Sequence, residues 1–172
     1  MDFEVIILKA IYSLVGSSDF LDGVFIFCAR FLVYISTLVF LSKLLVHREP
    51  YERLTKIFYT TLALVLSAGV FQGVIGYLVS REAPAAAVGF HSLIEAGTSS
   101  PAFATTWAVA VAMIASVALS KRLGTWLMII AALIGFSQLY TGVYWPLDIV
   151  VSFAIGIIGP IAAKRIIPPT KS

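Results

Sequence analysis

Few side chains in this sequence have the type and placement to do chemistry. Asp148 follows Tyr144 by four residues, Arg30 lies within an apolar stretch, Arg81 adjoins Glu82, and His91 precedes Glu95 by four. An ionisable residue in or beside a membrane span marks a functional site by default. Asp148 therefore has two compatible readings, as part of a site or as a cap on a helix that starts at Pro146, where a carboxylate accepts orphan N–H groups. Arg30 either snorkels toward water or pairs with Asp148, Glu95 or Asp22, because a lone guanidinium at mid-membrane costs about 3 kcal/mol on insertion scales. Arg81 either solvates its loop, pairs with Glu82, or joins Arg30 as a cation for an anionic headgroup. His91 and Glu95 would share one face of a helix, but two ligands do not make a metal site, and no metal is expected. The single Cys28 permits neither an internal disulfide nor a thiolate cage. No Gly-rich phosphate loop, Ser/His/Asp arrangement or cofactor motif is present, so no cofactor is expected.

These residues are set in an unusually apolar chain. Of 172 residues, 60% are hydrophobic and 12% charged, with a mean hydropathy of +0.99. Soluble domains are about 45–50% apolar and about 25% charged, so a soluble globule and a disordered chain are both excluded. The net charge of +3 is small and dispersed, which gives no footprint for nucleic acid. Residues 1–172 are expected to form one membrane domain. Asp2 and Glu4 stand where a cleavable signal would need basic residues, so no signal peptide is expected.

About 20 apolar residues cross the hydrocarbon core as a helix. Five stretches qualify: Val24–Val46, Ile57–Val79, Phe103–Leu119, Thr125–Val143 and Leu147–Ile167. Phe3–Val15 is too short to span and carries Glu4, Lys9 and Ser13 near helical spacing, which predicts an interfacial amphipathic helix. A short surface helix is predicted over Ala85–Ala96, between Pro84 and Pro101. With five spans, Lys43, Arg48, Arg53, Lys56, Lys121, Arg122, Lys164, Arg165 and Lys171 fall on one side, which the positive-inside rule places in the cytoplasm. The N-terminus is then outside and the C-terminus inside. Ser80–Ala102 and the Tyr144-Trp145-Pro146 turn both face the outer leaflet. His47 reads as a solvated loop residue, and Trp107, Trp126 and Trp145 as anchors near span ends.

Small residues recur every four positions in two spans: Ala104, Ala108, Ala112, Ser116 and Ser120, then Ser152, Gly156 and Pro160. Such rows let helix backbones approach closely in a bilayer. Gly73 and Gly76 are expected to act similarly.

The run Gly135-Phe136-Ser137-Gln138-Leu139-Tyr140-Thr141-Gly142-Val143-Tyr144-Trp145-Pro146-Leu147-Asp148 resembles the third signature of the type-2 phosphatidic acid phosphatase superfamily. That signature reads Ser-Arg, five residues, His, three residues, Asp. Ser99-Ser100-Pro101-Ala102-Phe103-Ala104 is similar to the family's second motif, Pro-Ser-Gly-His, which opens a membrane helix. Arg81-Glu82-Ala83-Pro84 is similar to the end of its first, Lys-x6-Arg-Pro. Order and intervals match over most of the chain, nearest to the small bacterial undecaprenyl-pyrophosphate phosphatases. The resemblance implies a helical membrane bundle in a bacterial or archaeal plasma membrane, with an outward-facing site for a lipid or polyprenyl phosphate.

It does not bring the reaction with it. In the family the third-motif His attacks phosphorus, the Asp orients it, the second-motif His protonates the leaving group, and Lys, two Arg and Ser hold the phosphate. Those positions here carry Tyr144, Asp148, Ala104, Gly76, Ala83, Gln138 and Ala102 respectively for nucleophile, orienter, acid, Lys, the two Arg and Ser. Phosphoryl transfer depends on neutralising charge at the phosphate oxygens and on an activated nucleophile. Tyr144, with an ordinary phenol pKa near 10, is a poor substitute. The leading expectation is a catalytically inactive member that binds lipid, polyprenyl phosphate or a membrane-protein partner. The alternative is an active lipid-phosphate or undecaprenyl-pyrophosphate phosphatase, for which Arg30, Arg81, His91 and Asp148 must converge on the outer face. A transporter reading rests on bundle architecture alone.

Overall fold

The computed structural model describes residues 2–46, 50–79, 81–84, 87, 89, 92–94, 98–99 and 101–169, without the side chains of Asp2, Arg81, Thr98 and Ser99. The fold is an all-helical bundle. Helix α1 (Asp2–Tyr12) is followed by α2 (Asp19–Leu45), then by α3 (Pro50–Leu64), a π-helical segment (Val65–Phe71) and α4 (Gln72–Leu78) in one continuous rod. Two-residue strands β1 (Arg81–Glu82) and β2 (Thr98–Ser99) pair antiparallel across the long connection. Helices α5 (Phe103–Ala118), α6 (Lys121–Tyr140) and α7 (Pro146–Ile166) complete the chain.

Among the described residues, four rods are long and apolar enough to cross a membrane: Asp19–Leu45, Pro50–Leu78, Lys121–Tyr140 and Pro146–Ile166. The fifth expected span, α5, has 16 residues, about 24 Å at 1.5 Å per residue, which is short of the hydrocarbon thickness. Its position explains this. It is the central helix, packed on α6, α7, α2 and α3, with Val109, Ala110, Ala112, Ile114 and Ala115 fully buried. A helix wrapped by its neighbours does not have to match the bilayer itself. By contrast α2 presents Phe20, Phe27, Phe31 and Leu38 outward, as a lipid-facing helix should.

The boundaries moved where polar residues join helices. Asp19 and Asp22 lie in the first turn of α2, five residues upstream of the expected start, and their charge suits that helix end. Ser120 caps α6 by accepting from the Leu123 N–H at 3.2 Å, so α6 begins at Lys121. Most of the helix expected over Ala85–Ala96 lies outside the described residues, as do His47, Arg48 and Lys171.

The small-residue rows act as contacts, with one correction. A methyl added at Gly156 would meet Val109 Cβ at 2.7 Å, and one at Gly124 would meet Ser116 Cα at 2.7 Å. At Gly159 it would collide with the Ser67 side chain and reach the Ser67 backbone nitrogen at 2.9 Å. Gly73, expected to pack, has nothing within 4 Å: it faces away from the bundle. The close approach on this rod comes six residues earlier, at Ser67 in the π-helical segment.

Lys56, expected on the cytoplasmic side, is fully buried, with its Nζ 3.4 Å from Glu52 Oε2 one turn back. Tyr59 donates to the Pro160 carbonyl at 3.2 Å, tying α3 to α7 near the same end.

Candidate functional site

Three parts of the chain meet at the end of the bundle opposite the Lys/Arg-rich termini of α2 and α7. Where α5 starts, the Ala102 N–H donates to Ser152 Oγ at 2.6 Å, and Gln72 Nε2 donates to the Pro101 carbonyl at 2.8 Å. Where α6 ends, Thr105 donates to Gln138 Oε1 at 2.6 Å. The chain then turns through Gly142, whose φ of +75° is left-handed and whose missing Cβ leaves room for the Tyr12 ring. The Leu93 N–H reaches the Thr141 carbonyl at 3.2 Å, and Trp145 Nε1 donates to the Glu82 carbonyl at 2.9 Å. The connection after α4 is thereby fastened to the turn before α7.

Of the positions matched to the family signatures, Ala83, Ala102, Gln138 and Asp148 are buried, while Gly76, Ala104 and Tyr144 are half-buried. Asp148 is the third residue of α7, and its Oδ2 accepts from the Trp145 N–H at 3.4 Å while its own N–H donates to the Trp145 carbonyl at 3.0 Å. This is a reciprocal cap of the helix start. Burial and the neighbouring Asp148 carboxylate push the Tyr144 phenol above its ordinary pKa of 10, so it is fully protonated at neutral pH. A phenol in that setting is neither a base nor a ready nucleophile.

Of Arg30, Arg81, His91 and Asp148, only the side chains of Arg30 and Asp148 are described. Arg30 is exposed on α2 and lines a lateral cavity of about 610 Å³ with Val33, Tyr34, Thr37, Ala104 and Trp107. Among the described residues it forms no ion pair. Neither carboxylate partner within the described residues is placed for it. Asp22 accepts from the Tyr140 hydroxyl at 2.6 Å and from the Gly16 N–H at 3.1 Å, and Asp148 is engaged in the cap. The Arg81 side chain, His91 and Glu95 lie outside the described residues. No group of three or more His, Cys, Asp or Glu is placed to hold a metal among the described residues.

Four residues of this region escaped sequence reasoning. Gln72 is polar in an apolar rod and was a visible anomaly. Thr105 and Ser152 look like ordinary small residues, and Ser152 was read only as packing. Glu4 belonged to the polar face of an interfacial helix, yet it is buried, and its Oε1 accepts from the Leu147 N–H at 3.3 Å in the first turn of α7.

Comparison with known proteins agrees with this geometry. The model of the PAP2 superfamily matches residues 54–171. The chain is 28% identical over 164 residues to undecaprenyl-diphosphatase BcrC of Bacillus subtilis (strain 168), covering 92% of this chain and 80% of that one. Its fold is similar to the crystal structure of Aquifex aeolicus LpxE, with a TM-score of 0.77, 24% identity and 94% of each chain covered. It is also similar to a PAP2-type phosphatidylglycerolphosphate phosphatase from Bacillus subtilis, with a TM-score of 0.68 and 20% identity over 96% of this chain and 84% of that one. With the signature intervals, the shared bundle and a matching model over more than half its length, this integral membrane protein belongs to the PAP2 superfamily.

Proposed function

We propose that the chain is a catalytically inactive PAP2 member that holds a phosphate-bearing lipid, a polyprenyl phosphate or a membrane-protein partner at its outer face. One observation carries this reading. Every position at which the family signatures would place a cation, nucleophile or proton donor carries Gly76, Ala83, Ala102, Ala104, Gln138 or Tyr144. The surviving Asp148 is turned to capping α7, and the Gln138 side-chain oxygen is held by Thr105. Without cations the equatorial phosphate oxygens have no compensation, and without an imidazole no nucleophile is poised. In other enzymes, loss of one member of a nucleophile–base unit costs roughly 10⁴–10⁶ in rate, and further losses add little. BcrC is named for a diphosphatase reaction, and that reaction would need groups this chain does not carry at the matching places.

The outer-face assignment follows from charge. Lys43, Arg53, Lys121, Arg122, Lys164 and Arg165 lie near helix ends remote from Tyr144, and the positive-inside rule makes this support for an N-terminus outside and a C-terminus in the cytoplasm.

The test is phosphate release in detergent from undecaprenyl pyrophosphate and phosphatidic acid. Its control is a variant with Gly76→Lys, Ala83→Arg, Ala102→Ser, Ala104→His, Gln138→Arg and Tyr144→His. No release from the native chain is expected. Turnover by the native chain overturns inactivity and directs attention to Arg30, Arg81, His91 and Asp148. Release by the variant alone would mean that the scaffold still holds substrate without chemistry of its own.

A further inference from the structure

We infer that ordered water is bound inside the bundle where the π-helical segment, α5 and α7 meet, held by Gln72 Oε1, Thr106 Oγ1 and Ser67 Oγ.

These side chains are buried in an apolar assembly, Ser67 and Thr106 completely and Gln72 at 9% exposure. Each of the three oxygens lacks a hydrogen-bond partner among the described residues. In native structures the great majority of buried polar atoms are paired, with protein or with ordered water. Three unmet oxygens along one seam would carry a desolvation cost with nothing to offset it.

Contacts with α7 set the three in a row. Gln72 Nε2 donates to the Pro101 carbonyl at 2.8 Å, and the Ala102 N–H beside it donates to Ser152 Oγ at 2.6 Å. Thr106 stands one turn further along α5, and a Cβ added at Gly156 would meet its carbonyl at 2.8 Å. Ser67 lies against Gly159. Ser152, Gly156 and Gly159 recur at helical spacing on one face of α7, so Gln72, Thr106 and Ser67 occupy successive levels of one seam. The backbone adds to its polarity. Pro160 has no N–H, which removes the helical donor from the Gly156 carbonyl. Within a membrane, backbone groups freed in this way are met by neighbouring hydroxyls and ordered water.

The donor and acceptor types select water. The Pro101 carbonyl can only accept, which fixes the Gln72 amide with Nε2 toward it and leaves Oε1 needing a donor. The Thr106 and Ser67 hydroxyls can donate or accept. Water does both, and a buried water makes about three such bonds. A sodium ion would meet the same neutral oxygens. Its charge would stay bare, because Asp148, the carboxylate of α7, is turned to the Trp145 N–H. Toward Tyr144 the seam ends at Ser152, which accepts from Ala102 and donates to the Asp148 carbonyl at 2.5 Å. The water is therefore internal and separate from the outer face.

Water-edited solid-state NMR of the full chain in phosphatidylcholine liposomes tests this, since it reads polarisation passing from water protons to nearby carbons. Signals of Thr106 and Gln72 should build up severalfold faster than those of Ala110 and Ile114, which are equally buried but apolar. Thr106→Val keeps the shape and removes the hydroxyl. It should lower the melting temperature by about 2–4 °C and slow the build-up at Gln72, a side chain it does not touch by hydrogen bond. A dry seam gives the opposite: build-up at Thr106 and Gln72 no faster than at Ala110, and a higher melting temperature in Thr106→Val because an unmet hydroxyl is gone. Either result overturns the water site. Exchanging choline chloride for sodium chloride should leave the melting temperature of the native chain unchanged. A rise that Thr106→Val abolishes would overturn water in favour of a cation. Gel filtration of Thr106→Val separates misfolding from lost hydration, and the spectrum of the native chain decides without the variant.

Discussion

The Thr105 hydroxyl donates to the Gln138 side-chain oxygen at 2.6 Å, joining the start of α5 to the end of α6. Both residues are buried. The bond stands one residue from Ala104 and directly at the position that a family signature reserves for Arg. A neutral amide satisfied by a neighbouring hydroxyl is the arrangement expected where no anion has to be neutralised. Interhelical hydrogen bonds in membranes average about 0.6 kcal/mol and reach about 1.7. Gln138→Leu should therefore lower stability by about 1 kcal/mol, as should Thr105→Val. The double variant should cost less than the two single losses added, because neither partner is then left unpaired. Denaturant titration in mixed micelles reads the cycle, and strict additivity would mean the bond contributes nothing.

Helix packing gives a sharper contrast between two glycines on facing rods. Gly159 lies against the Ser67 side chain and backbone, whereas Gly73 has open space around it. Gly159→Ala should destabilise by about 1–3 kcal/mol through overpacking. Gly73→Ala should stabilise by about 0.5–1 kcal/mol through helix propensity. Adding Ser67→Gly to Gly159→Ala should recover part of the loss. Thermal melting of the variants in one detergent checks all three.

The start of α5 lacks a capping side chain at Ala102, whose backbone is extended at φ −68° and ψ 109°. A serine there would accept from an orphan N–H in the first turn. Ala102→Ser should raise stability by about 0.5–2 kcal/mol. The same substitution should leave phosphate release at background, since one hydroxyl supplies neither charge nor nucleophile. A rise in activity without the other restorations would contradict the reading of the site as chemically empty.

The sequence made the bundle legible because long hydrophobic runs are physically decisive in a bilayer. Even the shortness of α5 was visible in the run from Phe103 to Leu119. What stayed hidden were pairings between distant residues. Nothing local announces that Tyr140 and Asp22, 118 residues apart, share a hydrogen bond of 2.6 Å. Asp22, one of three carboxylates considered for Arg30, is engaged by the Tyr140 hydroxyl instead. Glu4 misled in the opposite sense: amphipathic spacing put it at the membrane surface, but tertiary packing buried it at the first turn of α7. The matched signature positions were readable only because they occur at the right intervals, since alanine and glycine carry no chemical signal of their own.

Alkaline titration tests the environment of Tyr144 directly. Burial and the Asp148 carboxylate both raise its pKa above 10. The folded state thus holds the phenol proton more tightly than the unfolded state does. Its contribution to stability is fully present below about pH 10, the unfolded phenol value, and is lost as pH rises through the higher folded value. Tyr144→Phe should reduce the alkaline loss of stability while leaving the acid side unchanged. In difference absorbance, the variant should lack one late-titrating phenol relative to the native chain. Asp148→Asn should move that phenol back toward 10 by removing the nearby charge, though burial keeps it above. Titration of Tyr144 below 10 would reverse the sign of both effects. It would also restore the phenolate as a nucleophile to be reckoned with beside Asp148.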